Sequence, residues 1–296
     1  MRKLILMLIW LPFTCFSQEQ EADHDYVPIV KKPLFENNQG PLLLIDAGHN
    51  NFHKPDDKFA AFAKVATATG FHLQTLEGSI KTETLHGVKV LVIANALNEK
   101  NVGNWQLPVH QAFAAEEVEV VRKWVSEGGS LFLMADHMPF AGAVEALAGS
   151  LGYTMYNGFA MAGPGRKYDI FTFDNDMLKH TSLTDARSAI DTIITYTGQA
   201  FKIPEKATSI LSFNSKYKIL MPEVAWQFSK DMKMINADGL SQLAYSNYGS
   251  GKVVVSGEAA MFTAQKVSGV VKFGLNSDMP NDNLELLQNI LEWLAR

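Results

Sequence analysis

The sequence predicts an α/β fold: a doubly wound, mostly parallel sheet with a β-rich insertion or extension. Three observations carry this. Along residues 42–151 apolar runs and amphipathic stretches follow one another as strand, helix, strand, strand, helix, strand, helix. The runs KVLVIANAL (89–97), SLFLMA (130–135) and KVVVSG (252–257) are almost wholly apolar, as strands buried on both faces must be. Three runs end abruptly in polar clusters, and in open α/β sheets ligands sit outside the carboxyl ends of the strands.

Residues 1–17 read as a signal peptide. Arg2 and Lys3 make a basic start, Leu4 to Phe13 is apolar but too short to span a bilayer, and Cys15-Phe16-Ser17 offers a small-x-small cleavage site. Lipidation at Cys15 is the competing reading, but Leu11-Pro12-Phe13-Thr14 is a poor lipobox. The expected location is periplasmic or secreted. Cys15 is the only cysteine, so cleavage after Ser17 leaves a chain without disulfides or a thiol nucleophile. Losing Arg2 and Lys3 takes the formal net charge from −5 to −7. No basic patch stands out, which argues against nucleic acid as a partner. No second apolar run suits an integral membrane segment.

Residues 18–40, polar and punctuated by Pro28, Pro33 and Gly40, read as an N-terminal arm or tether. Residues 41–296 are expected to form a single domain. LLLID (42–46) is a buried strand. Phe59, Phe62, Ala63 and Ala66 share one face of a helix over 56–69, closed by Gly70. FHLQTL (71–76) alternates as a strand. An irregular stretch, 98–113, holds Trp105 and His110. Glu116 to Glu127 is amphipathic, with acidic residues suited to a helix start. A helix is expected over 141–151. The β-rich part spans about 160–250, with β-like runs at 190–197, 207–213 and 242–248. Tyr248-Gly249-Ser250-Gly251 reads as a hairpin turn. Residues 281–295 form a closing helix, with Leu284, Leu287, Ile290, Leu291 and Leu294 inward.

The candidate site is assembled from the strand ends. Asp46 is followed by Gly48, His49, Asn50 and Asn51, with His53 four residues beyond His49. Asp136 and His137 follow SLFLMA at a strand-to-helix elbow, the place where nucleophile elbows display a side chain. Glu258 ends the KVVVSG run. A buried Glu needs a partner there, whether a basic group, loop amides or a metal. His137, Asp136 and Glu258 are the candidate catalytic residues. Asn50, Asn51 and Asn95 are the candidate ligand-binding residues, and Asp46 and His49 the candidate metal ligands. His110, His180 and Gln199 rank lower.

The strings IDAGHNN (45–51), AFAAEEVEVVRKWVSEGGSLFLMADHMPFAGAVEALAGSLGY (112–153), TYTGQAF (195–201), GKVVVSGEAAMFTAQ (251–265) and NDNLELLQNILEWL (281–294) resemble an uncharacterised family of bacterial domains. That family's fold is similar to class I glutamine amidotransferases. The resemblance implies the fold more firmly than an activity. Amidotransferases of this class use a Cys on the elbow, where this chain carries Asp136-His137. Glutamine amidotransfer by that route is therefore excluded. Similar exported domains also resemble accessory modules of carbohydrate-active proteins.

Three functions follow. The first is a hydrolase in which a divalent metal, held by some of Asp46, His49, Asp136, His137 and Glu258, activates water against a small molecule or carbohydrate. The second is a non-catalytic module binding a glycan or peptide, with Trp105 and Tyr168 as stacking surfaces. The third is an assembly domain whose partner lies on the β-rich half. Geometry discriminates between the first two: a metal needs at least three converging ligand atoms, at about 2.0–2.2 Å for zinc.

Overall fold

A computed structural model describes residues 20–163, 168–186 and 189–296. The expected signal peptide, Cys15 included, lies outside the described residues. The chain runs through β1 (Gln20–Ala22), β2 (Leu42–Asp46), α1 (Ala60–Thr69), β3 (His72–Leu76), β4 (Val88–Ala94), α2 (Ala115–Ser126) and β5 (Ser130–Met134). Two short helices follow, α3 (Phe140–Ala143) and α4 (Glu145–Ser150). The next stretch is β: β6 (Thr154–Met155), β7 (Phe159–Met161), β8 (Asp169–Thr172), β9 (Thr192–Thr195), β10 (Phe201–Lys202), β11 (Thr208–Ser212), β12 (Lys218–Met221), β13 (Lys233–Asn236) and β14 (Ser241–Tyr248). β15 (Gly251–Ser256), β16 (Ala264–Val267), β17 (Val271–Gly274) and α5 (Asn283–Ala295) complete it.

The result is a mixed α/β protein around a nine-stranded sheet, with smaller antiparallel sheets beside it. One half of the large sheet is parallel, in the spatial order β3-β2-β4-β5-β15. Counted along the chain, that order is 2-1-3-4-5, and it places a switch point between β2 and β4. The other half, β14, β11, β10 and β6, is antiparallel. The expected mostly parallel sheet is thus corrected to a sheet parallel in one half only. The cause is local: the turn at Gly249-Ser250 joins β14 to β15, and so short a connection permits only antiparallel pairing.

Successive side chains on the parallel strands point to opposite faces, and each face has its own core. Ile45, Val92, Phe132, Met134 and Val254 pack with Phe62 and Val65 of α1 and Leu287, Ile290 and Leu294 of α5. Leu44, Leu91, Ile93, Leu133 and Val255 pack with Val121 and Val125 of α2 and Leu147 of α4. Burial on both faces is why the middles of β2, β4, β5 and β15 are apolar.

Two helices differ from expectation. α1 begins at Ala60, because the amides of Asp57 and Phe59 both turn onto the Lys54 carbonyl. The helix expected over 141–151 is broken at Val144, whose φ of −109° departs from helical geometry. Among the described residues no helix is long and apolar enough to cross a membrane.

Candidate functional site

The strands β2, β4, β5 and β15 end side by side, and the first-ranked candidates, Asp46, His49, Asn50, Asn51, Asn95, Asp136, His137 and Glu258, lie at or just past those ends. They do not meet at one point. The structure sorts them into three groups, each set by the loop that carries it.

The first group is built on His49. Its Nδ1 donates to Asp46 Oδ1 at 2.8 Å and its Nε2 to Glu117 Oε1 at 3.0 Å. Both ring nitrogens are therefore donors, and the ring is an imidazolium between two carboxylates. Asp46 Oδ2 accepts Asn51 Nδ2 at 3.0 Å, and Asp46 Oδ1 also accepts the Gly48 amide at 3.2 Å. Glu117 stands in the first turn of α2. Its Oε2 accepts the Ala114 amide, the reciprocal half of a capping box whose other half Ala114 has no side-chain oxygen to make. Glu117 also accepts the Ile80 amide.

These contacts decide the candidate metal ligands. Every donor atom of Asp46 and His49 is already committed, and among the described residues no group of three or more His, Cys, Asp or Glu side chains could hold a metal ion. The residues present do not fit a metal at Asp46 and His49.

Burial pulls the His49 pKa down, but the Asp46 and Glu117 carboxylates outweigh it and hold the ring above its ordinary value. Folding thus favours the charged ring. The stability this contributes is complete below the unfolded value of about 6.5 and is lost as pH rises through the folded value. Burial pushes Glu117 up, but the Ala114 and Ile80 amides and His49 hold it below its ordinary value, so its contribution is lost at the acid end. The stability advantage of wild type over His49→Gln should therefore be largest near pH 6 and shrink by pH 9. Urea midpoints at the two pH values check this, and an equal advantage at both would exclude the imidazolium.

The second group is built on Asn95, which follows β4 with φ at 50° and is fully buried. Its Nδ2 donates to Asp136 Oδ2 at 2.8 Å and to His53 Nδ1 at 2.9 Å. Its Oδ1 accepts the Asp136 amide at 2.8 Å. Asp136 Oδ1 accepts the Ala259 amide beyond β15. Glu258 is fully buried beside it, with Oε2 accepting the Met261 amide at 2.8 Å. Burial raises both carboxyls above their ordinary values, and the negative charge of Asp136 raises Glu258 further. Burial also pushes His53 down to about 3, so that it is neutral.

Asn51 and Asn95, expected to bind ligand, make their side-chain hydrogen bonds within the protein. Asn51 is spent on Asp46, the Ala94 carbonyl and the His49 amide, and Asn95 on the second group. Of the three asparagines only Asn50 is exposed, with φ at 46° and its amide on the Leu97 carbonyl. At the switch point residues 49–52 are tied to the loop after β4. The Leu97 amide donates to the His49 carbonyl at 2.8 Å and the Phe52 amide to the Asn95 carbonyl at 2.9 Å.

The third group is built on His137, which turns away from Asp136 and Glu258. Its Nδ1 donates to the Met138 carbonyl at 2.7 Å, which leaves Nε2 an acceptor. The ring stacks on Phe159 at 4.4 Å and 13° and meets the edge of Trp226 at 4.7 Å. Burial pushes His137 down to about 4, so it is neutral at physiological pH. Trp105 lies 6.1 Å away, half-buried against Phe52 and Phe140. The loops that hold these rings brace each other: the Leu107 amide donates to the Glu223 carbonyl and the Ala225 amide to the Trp105 carbonyl. Trp226 is 50% exposed and Phe228 40% exposed, and both pack against Phe159.

Sequence reasoning misses Glu117, Phe159, Trp226 and Phe228. In the sequence Glu117 is only a favourable charge at a helix start. Two aromatics, Trp226 and Phe228, on either side of Gln227 and just before Ser229-Lys230-Asp231 are a usable signal for an exposed platform. Among the lower-ranked residues, Gln199 ties the Ala135 carbonyl to the Tyr156 amide inside the protein, and His180 stacks on Phe173 at the surface. Tyr168 is part-exposed.

No protein-family model matches the chain. No curated protein matches it. Among solved structures it is similar to the mmIFT52 N-terminal domain, at 18% identity, over 86% of this chain and 97% of that one, with a TM-score of 0.61. It also aligns with a ThuA-like protein from Bacteroides uniformis ATCC 8492 (14% identity, 90% and 94% covered, TM-score 0.46). A third is a GMP synthase component from Thermoplasma acidophilum (8% identity, 86% and 94% covered, TM-score 0.45). At these identities the first likeness speaks to the fold alone.

Proposed function

We propose that the chain is a non-catalytic recognition module that binds carbohydrate on the aromatic platform of Trp226 and Phe228. The observation that carries this is Trp226. Its ring is half-exposed at the carboxyl edge of the sheet, and its backbone holds φ at 68°. A bulky residue in the left-handed region is a genuine outlier, and such strain persists only where the surroundings impose it. Here the braced loops impose it and the ring is presented to solvent. An exposed apolar patch with a polar rim marks a binding surface. The flat C–H face of a pyranose is the natural occupant of an indole face.

The hydrolase reading is weaker on this geometry. Asp136 and Glu258 lie buried and tied to backbone amides, whereas a general acid must reach a substrate oxygen. At a finer level, the strand order and the helical cores on both faces support a doubly wound, amidotransferase-like sheet whose elbow carries Asp136-His137 instead of Cys. Export to the periplasm or the medium, read from residues 1–17, belongs to the same proposal.

A glycan array followed by calorimetric titration of the purified chain tests the reading. Saturable binding of neutral oligosaccharides is the expected result. Capture of peptides alone, or glycoside hydrolysis lost in Asp136→Asn, would replace it.

A further inference from the structure

We propose that Asp136 and Glu258 keep a proton between them at neutral pH, and that this proton latches the ends of β5 and β15 together. Losing it as pH rises sets two like charges on either side of the joint. The latch stands apart from the aromatic platform and does not depend on it.

The joint is built on the two carboxyl groups. Asp136 Oδ1 accepts the amide of Ala259, the residue after Glu258, so the loop that carries Glu258 is tied to the end of β5. Asp136 Oδ2 accepts Asn95 Nδ2, and Glu258 Oε2 accepts the Met261 amide. Glu258 Oε1 is buried and makes no hydrogen bond among the described residues. It is the carboxyl oxygen free to carry a hydrogen, because the other three already face N–H donors. The same loop is anchored at Gly257, whose amide donates to the Gln242 carbonyl and whose carbonyl accepts the Gln199 amide. The bond between Asp136 and Ala259 is the next tie along it.

No cation offsets the pair. Among the described residues, Asp136, backbone amides and the Asn95 side chain act on these carboxyls, and no Lys, Arg or His does. Tyr196, just past β9, is a phenol held above its ordinary value and is neutral here. Gln242 of β14, across Gly198 from the Glu258 side chain, carries no charge. His53, on the far side of Asn95, and His137, turned away onto Phe159, are both neutral. Neighbouring buried carboxyls without a cation do not both ionise, since a lone buried charge is already unfavourable and a second repels it. In the unfolded chain both groups titrate near about 4, so folding takes up a proton. The stability that the neutral pair contributes is complete below that value. It is lost as pH rises through the folded values, about 7 at Asp136 and well above the ordinary range at Glu258.

Thermal melting of the full chain and of Glu258→Gln, measured from about pH 6 to about pH 9, provides the first test. Glutamine keeps the shape of the neutral acid and cannot ionise. The wild-type melting temperature should fall across this range by about 5 °C more than that of Glu258→Gln. His49 titrates in the same direction but is common to both proteins and cancels. The Ala259 amide should lose hydrogen-exchange protection at the alkaline end in wild type and keep it in the variant. If Glu258→Gln fails to fold, infrared spectra of wild type carrying isotope-labelled glutamate decide. Glu258 is the only fully buried glutamate among the described residues, so a protonated glutamate band at neutral pH belongs to it. Equal melting slopes in the two proteins, unchanged Ala259 protection at the alkaline end, or no such band at neutral pH overturns the proposal.

Discussion

Asn95→Ala is expected to destabilise the protein by about 4 kcal/mol. Three side-chain hydrogen bonds are lost at a fully buried position: those to Asp136 Oδ2, to His53 Nδ1 and from the Asp136 amide. Each buried group left without a partner costs about 1–3 kcal/mol. Holding a residue with a Cβ at a φ of 50° adds about 1 kcal/mol, a cost asparagine tolerates better than alanine. The two contributions separate experimentally. Asn95→Gly removes the same hydrogen bonds but adopts positive φ freely, so it should be less destabilising than Asn95→Ala by about 1 kcal/mol. Chemical denaturation of the three proteins checks both values. A loss below about 1 kcal/mol for alanine would mean that Asn95 does not hold the ends of β4 and β5 together.

Trp226→Ala should weaken binding of the best neutral oligosaccharide by about 30-fold, or roughly 2 kcal/mol, as loss of a central aromatic anchor does. Thermal stability should stay within about 1 kcal/mol of wild type, because half of the ring is already in water. Trp226→Tyr keeps an aromatic face and should retain most of the affinity. Calorimetric titration of the three proteins gives the comparison. Unchanged affinity in Trp226→Ala would move the ligand away from this platform, and a fall in stability matching the fall in affinity would make the ring structural.

The architecture was legible because it follows from a local pattern. Apolar runs at 42–46, 89–95, 131–135 and 253–256 are bound to bury both faces, and β2, β4, β5 and β15 fall on them, β4 and β5 each ending one residue earlier. The closing helix shows its periodicity within its own residues, and α5 packs Leu287, Ile290, Leu291 and Leu294 into the core. That Asp46, Asp136 and Glu258 fall at or just past strand ends follows from the same pattern; that β4 stands between β2 and β5 does not.

What those residues do was decided only in three dimensions. The partner of His49 on its far nitrogen is Glu117, 68 residues away, and no local spacing announces it. Asp136 and His137 are adjacent in the chain, yet one is drawn to the Ala259 amide and the other onto the Phe159 ring. Hydrophobic burial is non-directional and repeats with the backbone, so the sequence by itself determined the strands buried on both faces, whereas short half-buried strands such as β7, β8, β12 and β13 emerged only in the fold. Hydrogen bonds are directional and join atoms distant in the chain. Whether a polar side chain at a strand end is free for chemistry, or already spent on another part of the protein, is therefore settled by the tertiary structure alone.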